Sequence, residues 1–418
     1  MADQPAVPRS PLMSLDEVLS RLAAGAAGHR IQDTECLPTD RVLGRVLAAD
    51  VVSTLDVPPA DNSSMDGYAL RAADVASAGT VLPVSQRIAA GHPGQPLAQG
   101  TAARIFTGAQ VPAGADCIVM QEQCEAVDGG AVRVNTVPAA GQWIRRQGED
   151  VRVGLRVLPA GQRLAPQHLG MLATVGLAEV AVVHRPRVAL FSTGDELVLP
   201  GQPLPPGAIY NSNRHTLRGL LEAAGCEVQD LGIVPDRLDA TREALRNAAA
   251  DNDLILTSGG VSVGEEDHLR PAARAEGRIE LWQMAAKPGK PLAFGAVNRP
   301  GGGEALLMGL PGNPVSSFIT FLLAVAPVLR VMQGGSAALP TAWPLRAAFD
   351  WPKPDRQRRE FMRARLNSQG ELELFDNQSS GVMTSAVWAD GLIDNPAGQA
   401  IARGETVRFL PLATLMAA

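Results

Sequence analysis

The sequence predicts a multidomain α/β-plus-β protein. Its expected parts are an open parallel α/β sheet, a small inserted β domain, a discontinuous helical linker domain and a β-barrel-like C-terminal domain. Three observations predict this. From Arg187 to Val331, apolar strand-like runs alternate with amphipathic helical segments, the pattern of parallel βαβ units. Between Val51 and Glu149, short β-like runs are separated by Gly- and Pro-containing clusters, and helical segments flank this stretch on both sides. Beyond Ser336 the alternation stops and period-two patterning begins. The expected boundaries are residues 10–50 with 150–183 for the linker, 51–149 for the insert, 184–335 for the α/β unit and 336–418 for the last domain. A chain of 418 residues is long enough for about three domains at roughly 150 residues each.

The elements follow in order. "SLDEVLSRLAAGA" opens with Ser14 and Glu17 at capping-box spacing, and Leu15, Val18, Leu19 and Leu22 share one helical face. "TDRVLGRVLAAD", Thr39 to Asp50, predicts a second helix with Val42, Leu43, Val46 and Leu47 turned inward. The insert carries β-like runs at Thr80–Val84, Ala103–Phe106, Cys117–Met120 and Val132–Thr136, with "GHPGQP", "VPAGAD" and "VPAAGQ" as turns. Leu164 to Gly176 returns to helix, so the flanks of the insert are expected to pack on each other. In the α/β unit, "RVALFS", "CEVQDLGIV", "DLILTSGG" and "EALLMGLPG" read as strands with helices between them, the last leading into an apolar helix at Val315–Val331. "REFMRARL" and "ELELFDN" read as strands of the C-terminal domain.

Composition narrows the function. A net charge of −6 argues against a general nucleic-acid binder, which needs a basic face, but not against a small anionic substrate. The four cysteines and six histidines show no zinc spacing, so the thiols are expected to be buried, free and in a reducing compartment. The N-terminal residues lack a secretory pattern. The longest apolar run, Phe318 to Leu329, is too short to span a bilayer. A cytoplasmic protein without a membrane partner is expected.

Ligands of open parallel sheets bind beyond the carboxyl ends of the strands, and three strands here end in unusual sequences. "VALFS" runs into Thr193-Gly194-Asp195-Glu196, "LGIV" into Pro235-Asp236, and "LILT" into Ser258-Gly259-Gly260-Val261-Ser262. Paired glycines let the backbone approach a ligand, and serine hydroxyls with a following helix start suit an anion. This points to a phosphate or pterin cradle that is neither a Walker loop nor a dinucleotide fingerprint. Asp195, Glu196, Asp236 and Asp267 gather at the same edge, where carboxylates beside phosphates hold Mg2+; each alone could be a helix cap. Lys287 and Lys290 of "KPGKP" would supply positive charge there. Ser316 and Ser317 open a helix, either as caps or as oxyanion donors. Arg356 to Glu360 reads most simply as a charged edge strand. The chemistry implied is phosphoryl or oxyanion handling with a metal.

"DNSSMDGYA", "FTGAQVPAGAD", "RRQGEDV", "FSTGDEL", "LTSGGVSVGEED", "KPGKP" and "GLPGNPVSS" occur in this order. Together they resemble the molybdopterin molybdenumtransferase family, which includes the E domain of gephyrin, over nearly the whole chain. The resemblance implies insertion of molybdate into adenylylated molybdopterin with Mg2+, and release of AMP and molybdenum cofactor. It implies a homodimer whose sites lie between subunits, and molybdopterin adenylyltransferase and molybdoenzymes as partners. By this resemblance Asp61, Thr107, Asp150, Glu196, Asp236 and Asp267 are catalytic, and Glu196, Asp236 and Asp267 hold the metal. Ser258, Gly259, Gly260 and Ser262 match the pterin-phosphate loop, and Ser192, Thr193 and Gly194 are further substrate-binding positions. Lys287, Ser316, Arg358 and Ser379 surround molybdate, with Arg359 or Ser380 as alternatives to the last two, and Lys290 is a further substrate-binding position. Asp66 is expected to hold its loop through backbone hydrogen bonds. Relatives often carry Lys where this chain has Gln283, which removes one expected positive charge. A molybdopterin adenylyltransferase or a gephyrin-like scaffold are the alternative readings.

Overall fold

The computed structural model describes residues 12–261 and 268–417. Its central sheet has seven strands, in the spatial order Leu12–Met13, Gly277–Met284, Pro291–Asn298, Glu304–Leu310, Leu254–Ser258, Arg187–Thr193 and Glu227–Val234. The last four run parallel, as the alternating pattern requires. The sheet as a whole is mixed and not purely parallel. Gly277–Met284 and Pro291–Asn298 are antiparallel neighbours, and Pro291–Asn298 is antiparallel to Glu304–Leu310. "KPGKP" is therefore the turn of a hairpin, and a meander replaces one expected crossover.

One core runs beneath this sheet. It unites Leu15, Val18 and Leu22 of the helix Leu15–Ala27 with the helical stretch Pro314–Met332 and with Leu254, Leu256, Leu306 and Met308. The first helix thus packs on the α/β unit and not on the linker. Ser14 caps it, its Oγ accepting from the Glu17 N–H at 3.1 Å, while Glu17 pairs with Arg21. Pro314–Met332 spans 19 residues and is the one stretch, among the described residues, long and apolar enough to cross a membrane; nearly all of it is buried inside the protein. It is longer than the apolar run alone indicated, and it is a core helix.

The expected helix at Thr39–Asp50 does not form. Only Thr39–Arg41 makes a 3-10 turn. Gly44 then takes φ +74°, a left-handed conformation that ends helical progress, and Leu43 is exposed. Val46 and Leu47 instead bridge to Arg163 and Val182. The flanks of the insert meet through the antiparallel pairs Thr34–Pro38 with Glu179–Val183 and Val51–Val52 with Arg156–Leu158. They share a core of Val42, Leu47, Leu158, Leu172 and Val182. With Leu15–Ala27 packed on the α/β unit, Pro166–Thr174 is the one α-helix left to the linker among the described residues, so the linker is more strand than helix.

The insert is a six-stranded sheet that includes Gly67–Leu70 and Thr80–Ile88. The C-terminal region supplies five strands of a second six-stranded sheet, whose sixth strand is Ala286–Lys287. Arg359–Leu366 pairs with Gly391–Asn395, Leu372–Leu374 and Ala286–Lys287, so it is an interior strand and not the charged edge expected. Its pairing with Ala286–Lys287 stitches the C-terminal sheet to the hairpin turn of the α/β unit.

The thiols are not uniformly buried. Cys117 and Cys226 are, and burial pushes each up to about 12, whereas Cys36 is exposed because its strand lies at the surface. A thiol-reactive disulfide reagent at pH 8 should therefore modify Cys36 rapidly in the native protein, and Cys117 and Cys226 only after unfolding.

Candidate active site

A cavity of about 1030 Å³ opens at the carboxyl ends of the parallel strands. Its floor is the turn after Leu254–Ser258. Gly259 has φ +90°, and a Cβ there would lie 2.7 Å from the Thr193 carbonyl oxygen, while Gly260 has φ +65°. Both glycines are required, one of them doubly. Thr193, Gly194 and Glu196 line the cavity from one neighbouring strand and Asp236 from the next. A Cβ on Gly194 would meet the Glu196 carboxylate oxygens at 2.6 and 2.9 Å, so this glycine makes room for the acid. Ser192 lies beneath the surface, fully buried, its hydroxyl 3.2 Å from that of Ser258.

The opposite wall comes from the hairpin turn and the C-terminal sheet. Lys287, Lys290, Ser316, Arg358 and Ser379 all line the same cavity. The stitch between Ala286–Lys287 and Arg359–Glu360 explains how residues seventy positions apart meet. Asp355 organises the cations. It accepts from Arg358 Nε at 2.9 Å and Nη2 at 2.6 Å, and lies 4.0 Å from Lys287 Nζ. Burial alone would raise the Asp355 pKa, but hydrogen bonds from Arg358 and from two backbone N–H groups outweigh it and hold the carboxyl below its usual 3.8. A lowered folded pKa gives stability that is present above the ordinary value and lost as pH falls through the folded one. This clamp therefore persists throughout the neutral range.

Glu360 was not singled out from the sequence. It is 2% exposed and accepts from Lys287 Nζ at 3.1 Å and from Trp351 Nε1 at 2.9 Å. Arg363 was missed as well. It is buried, donates to the Ser385 hydroxyl at 3.0 Å and to the Phe361 and Ser379 carbonyls at 3.3 Å, and has no carboxylate partner among the described residues. Desolvation lowers it to about 10. Both side chains line a smaller cavity of about 300 Å³ that shares Lys287, Pro288, Gln378 and Ser379 with the larger one. The available signal was charge at positions that bury in "REFMRARL". Glu360→Gln should destabilise the chain by about 1–3 kcal/mol in urea unfolding, less than a fully buried pair because Lys287 is 43% exposed.

Asp61, Thr107 and Asp150 do not line this cavity. They sit where three loops of the insert interlock. Asp61 accepts from Arg146 Nη1 at 2.6 Å and from the Gln147 N–H at 2.8 Å. Burial works to raise its pKa, yet these two donors hold it below the usual value. Thr107 donates through both its N–H, at 2.8 Å, and its hydroxyl, at 2.7 Å, to Asp66 Oδ1. Asp150 is exposed, and its N–H donates to the Val57 carbonyl. Asp66→Asn weakens the tie between the two loops, so a lowered melting temperature is expected before any direct effect on a ligand.

Other expected positions fall elsewhere. Ser262 and Asp267 lie outside the described residues. Asp195 is exposed and does not line the cavity. Gln283 lies in the strand Gly277–Met284, opposite Leu12 and Pro291, and also does not line it, so a lysine there would not extend the cationic wall directly. Arg359 pairs with the buried Asp394 and not with the cavity. Neither Ser316 nor Ser317 caps the helix Pro314–Thr320. Ser380 joins Asn313 across the cavity rim at 3.1 Å.

The donors suit phosphate and oxyanion chemistry. Two carboxylates, Glu196 and Asp236, face a cationic wall across a glycine turn. Among the described residues no group of three or more acids, histidines or cysteines is arranged to hold a metal alone. An ion bound here would complete its shell with substrate oxygens and water, as Mg2+ at phosphate sites does.

Three family descriptions match the chain in succession. They are the MoeA N-terminal region (domain I and II) over residues 13–176, the probable molybdopterin binding domain over 189–331, and the MoeA C-terminal region (domain IV) over 344–412. The molybdopterin molybdenumtransferase of Haemophilus influenzae is 43% identical over 302 residues, 72% of this chain and 73% of the relative. That of Nostoc sp. is 36% identical over 392 residues, 91% of this chain and 89% of the relative. The crystal structure of the molybdopterin biosynthesis moeA protein from Pyrococcus horikoshii OT3 aligns with a TM-score of 0.80 at 30% identity, covering 96% of this chain and 99% of that one.

Proposed function

The chain belongs to the molybdopterin molybdenumtransferase family, and from that membership we propose how its cavity serves the reaction. The protein is a transferase that inserts molybdenum into molybdopterin. In our reading molybdenum enters as molybdate and molybdopterin as its adenylylated form, and cleavage of the adenylate releases AMP and molybdenum cofactor. The single observation that carries this reading is the cavity itself, where a Ser-Gly-Gly turn and two carboxylates face Lys287, Lys290 and Arg358. The turn suits a phosphate and the cationic wall an oxyanion.

Thr193, Gly194, Ser258, Gly259 and Gly260, together with Ser262, would bind the pterin phosphate, with Ser192 positioning Ser258 from below. Lys287, Lys290, Ser316, Arg358 and Ser379 would hold molybdate. Glu196 and Asp236, with Asp267, would hold Mg2+, which when bound neutralises charge on phosphate oxygens. Positioning and electrostatics supply the catalysis. Asp61, Thr107 and Asp150 complete the site from a partner subunit in a homodimer; that they do not line the cavity of their own chain supports this arrangement. Molybdopterin adenylyltransferase and molybdoenzymes fit as partners before and after this step, in the cytoplasm.

Purified protein incubated with adenylylated molybdopterin and Mg2+ should release AMP only when molybdate is added. Adenylylation of molybdopterin from ATP would support the adenylyltransferase reading instead, and neither activity would support a scaffold.

A further inference from the structure

A second cavity of about 310 Å³ shares no lining residue with the candidate active site. It lies where the 161–163 turn, the end of the helix Pro314–Met332 with its following loop, and the C-terminal helix Leu412–Ala417 meet. Two arginines line it, Arg163 and Arg330. Neither has a carboxylate partner among the described residues. Arg163 donates to the Ala224 and Ala223 carbonyls at 2.9 and 2.8 Å, and Arg330 to those of Ser336 and Ala338 at 3.1 and 2.9 Å. Each guanidinium has five N–H donors in a fixed fork, so each keeps donors beyond those carbonyls. Burial lowers the pKa of both, and Arg185 adds further positive field at Arg163. The rest of the lining is mostly apolar or small, including Val46, Gly161, Ala338 and Pro340.

Two half-buried cations in one apolar cavity form an incomplete charge arrangement. A protein usually pairs such groups or offers them to an anion. The volume sits at the lower end of the range for ligand pockets, about 300–1,000 Å³. We propose that this cavity binds a small organic anion, its phosphate or carboxylate forked between Arg163 and Arg330 and its apolar body against Val46, Ala338 and Pro340. The bound anion would join the stalk of the inserted sheet to the core helix. Ser316, near the other end of that helix, lines the candidate active site, about 20 Å away at 1.5 Å per residue. The inference does not depend on the transferase reading.

Calorimetric titration of the full chain at low salt with phenyl phosphate, and separately with benzoate, tests it; which probe binds tells phosphate from carboxylate. The expected result is saturable binding of at least one probe that Arg330→Gln and Arg163→Gln each weaken tenfold or more, with Arg330→Lys in between. Ala338→Phe keeps both cations but fills the cavity from an exposed position, and should abolish that binding while leaving the circular dichroism spectrum unchanged. Absence of saturable binding, or binding that persists unchanged in Ala338→Phe, overturns the proposal even if the arginine variants fail to fold.

Discussion

Asp61→Asn is expected to reduce molybdate-dependent AMP release by about 100-fold or more, the scale of losing one preorganised electrostatic group, while the chain folds as before. The fold should survive because asparagine still offers an oxygen to the Gln147 N–H, and the Arg146 partner is 57% exposed and solvated. What is lost is the negative charge. Glu196→Gln with Asp236→Asn should be as damaging from the other side of the site. If Asp61 acts in a neighbour's cavity, mixing Asp61→Asn subunits with Glu196→Gln/Asp236→Asn subunits restores activity. Random exchange gives half heterodimers, each with one intact site, or about one quarter of the wild-type rate in a twofold-symmetric assembly. No recovery after verified subunit exchange would remove the shared site from the account.

Gly259→Ala should be far more damaging than adding one methyl group ordinarily is. At φ +90° an L side chain is strained whatever the space, and here a Cβ would also lie 2.7 Å from the Thr193 carbonyl. That oxygen belongs to the central sheet and cannot yield without moving the neighbouring strand. The combined cost is about 2–4 kcal/mol, read as a lower urea midpoint with unchanged slope. Gly260→Ala carries the strain of φ +65° as well. Phosphate-bearing ligands should lose affinity in both variants, because the turn that would meet them has changed shape.

The sequence was most informative where local pattern and tertiary role coincide. The strands and helices from Arg187 to Ser258 were legible because their period changes are long and bounded by Gly and Pro, and the carboxyl-edge rule then located the cavity. The helix expected at Thr39–Asp50 failed because side-chain spacing carries no information about Gly44, whose positive φ diverts the chain into pairing with Arg163 and Val182. The antiparallel hairpin was hidden because "KPGKP" looked self-contained, a local lysine turn and not the link between two paired strands. Arg358 and Ser379 entered only by resemblance. No local pattern reveals that Ala286–Lys287 joins a distant sheet, and that pairing brings them to the cavity. Glu360 and Arg363 went unnoticed because charged residues in a strand are ordinarily taken as solvent-facing.

The central claim is that molybdate is received in the cavity between the glycine turn and the cationic wall. Crystals of the full chain soaked in molybdate, with anomalous diffraction recorded on both sides of the molybdenum absorption edge, test it directly. The account predicts a molybdenum peak within the cavity bounded by Lys287, Arg358 and Ser379, lost in Arg358→Ala crystals. A peak confined to another part of the molecule, or one unchanged in Arg358→Ala, would contradict it.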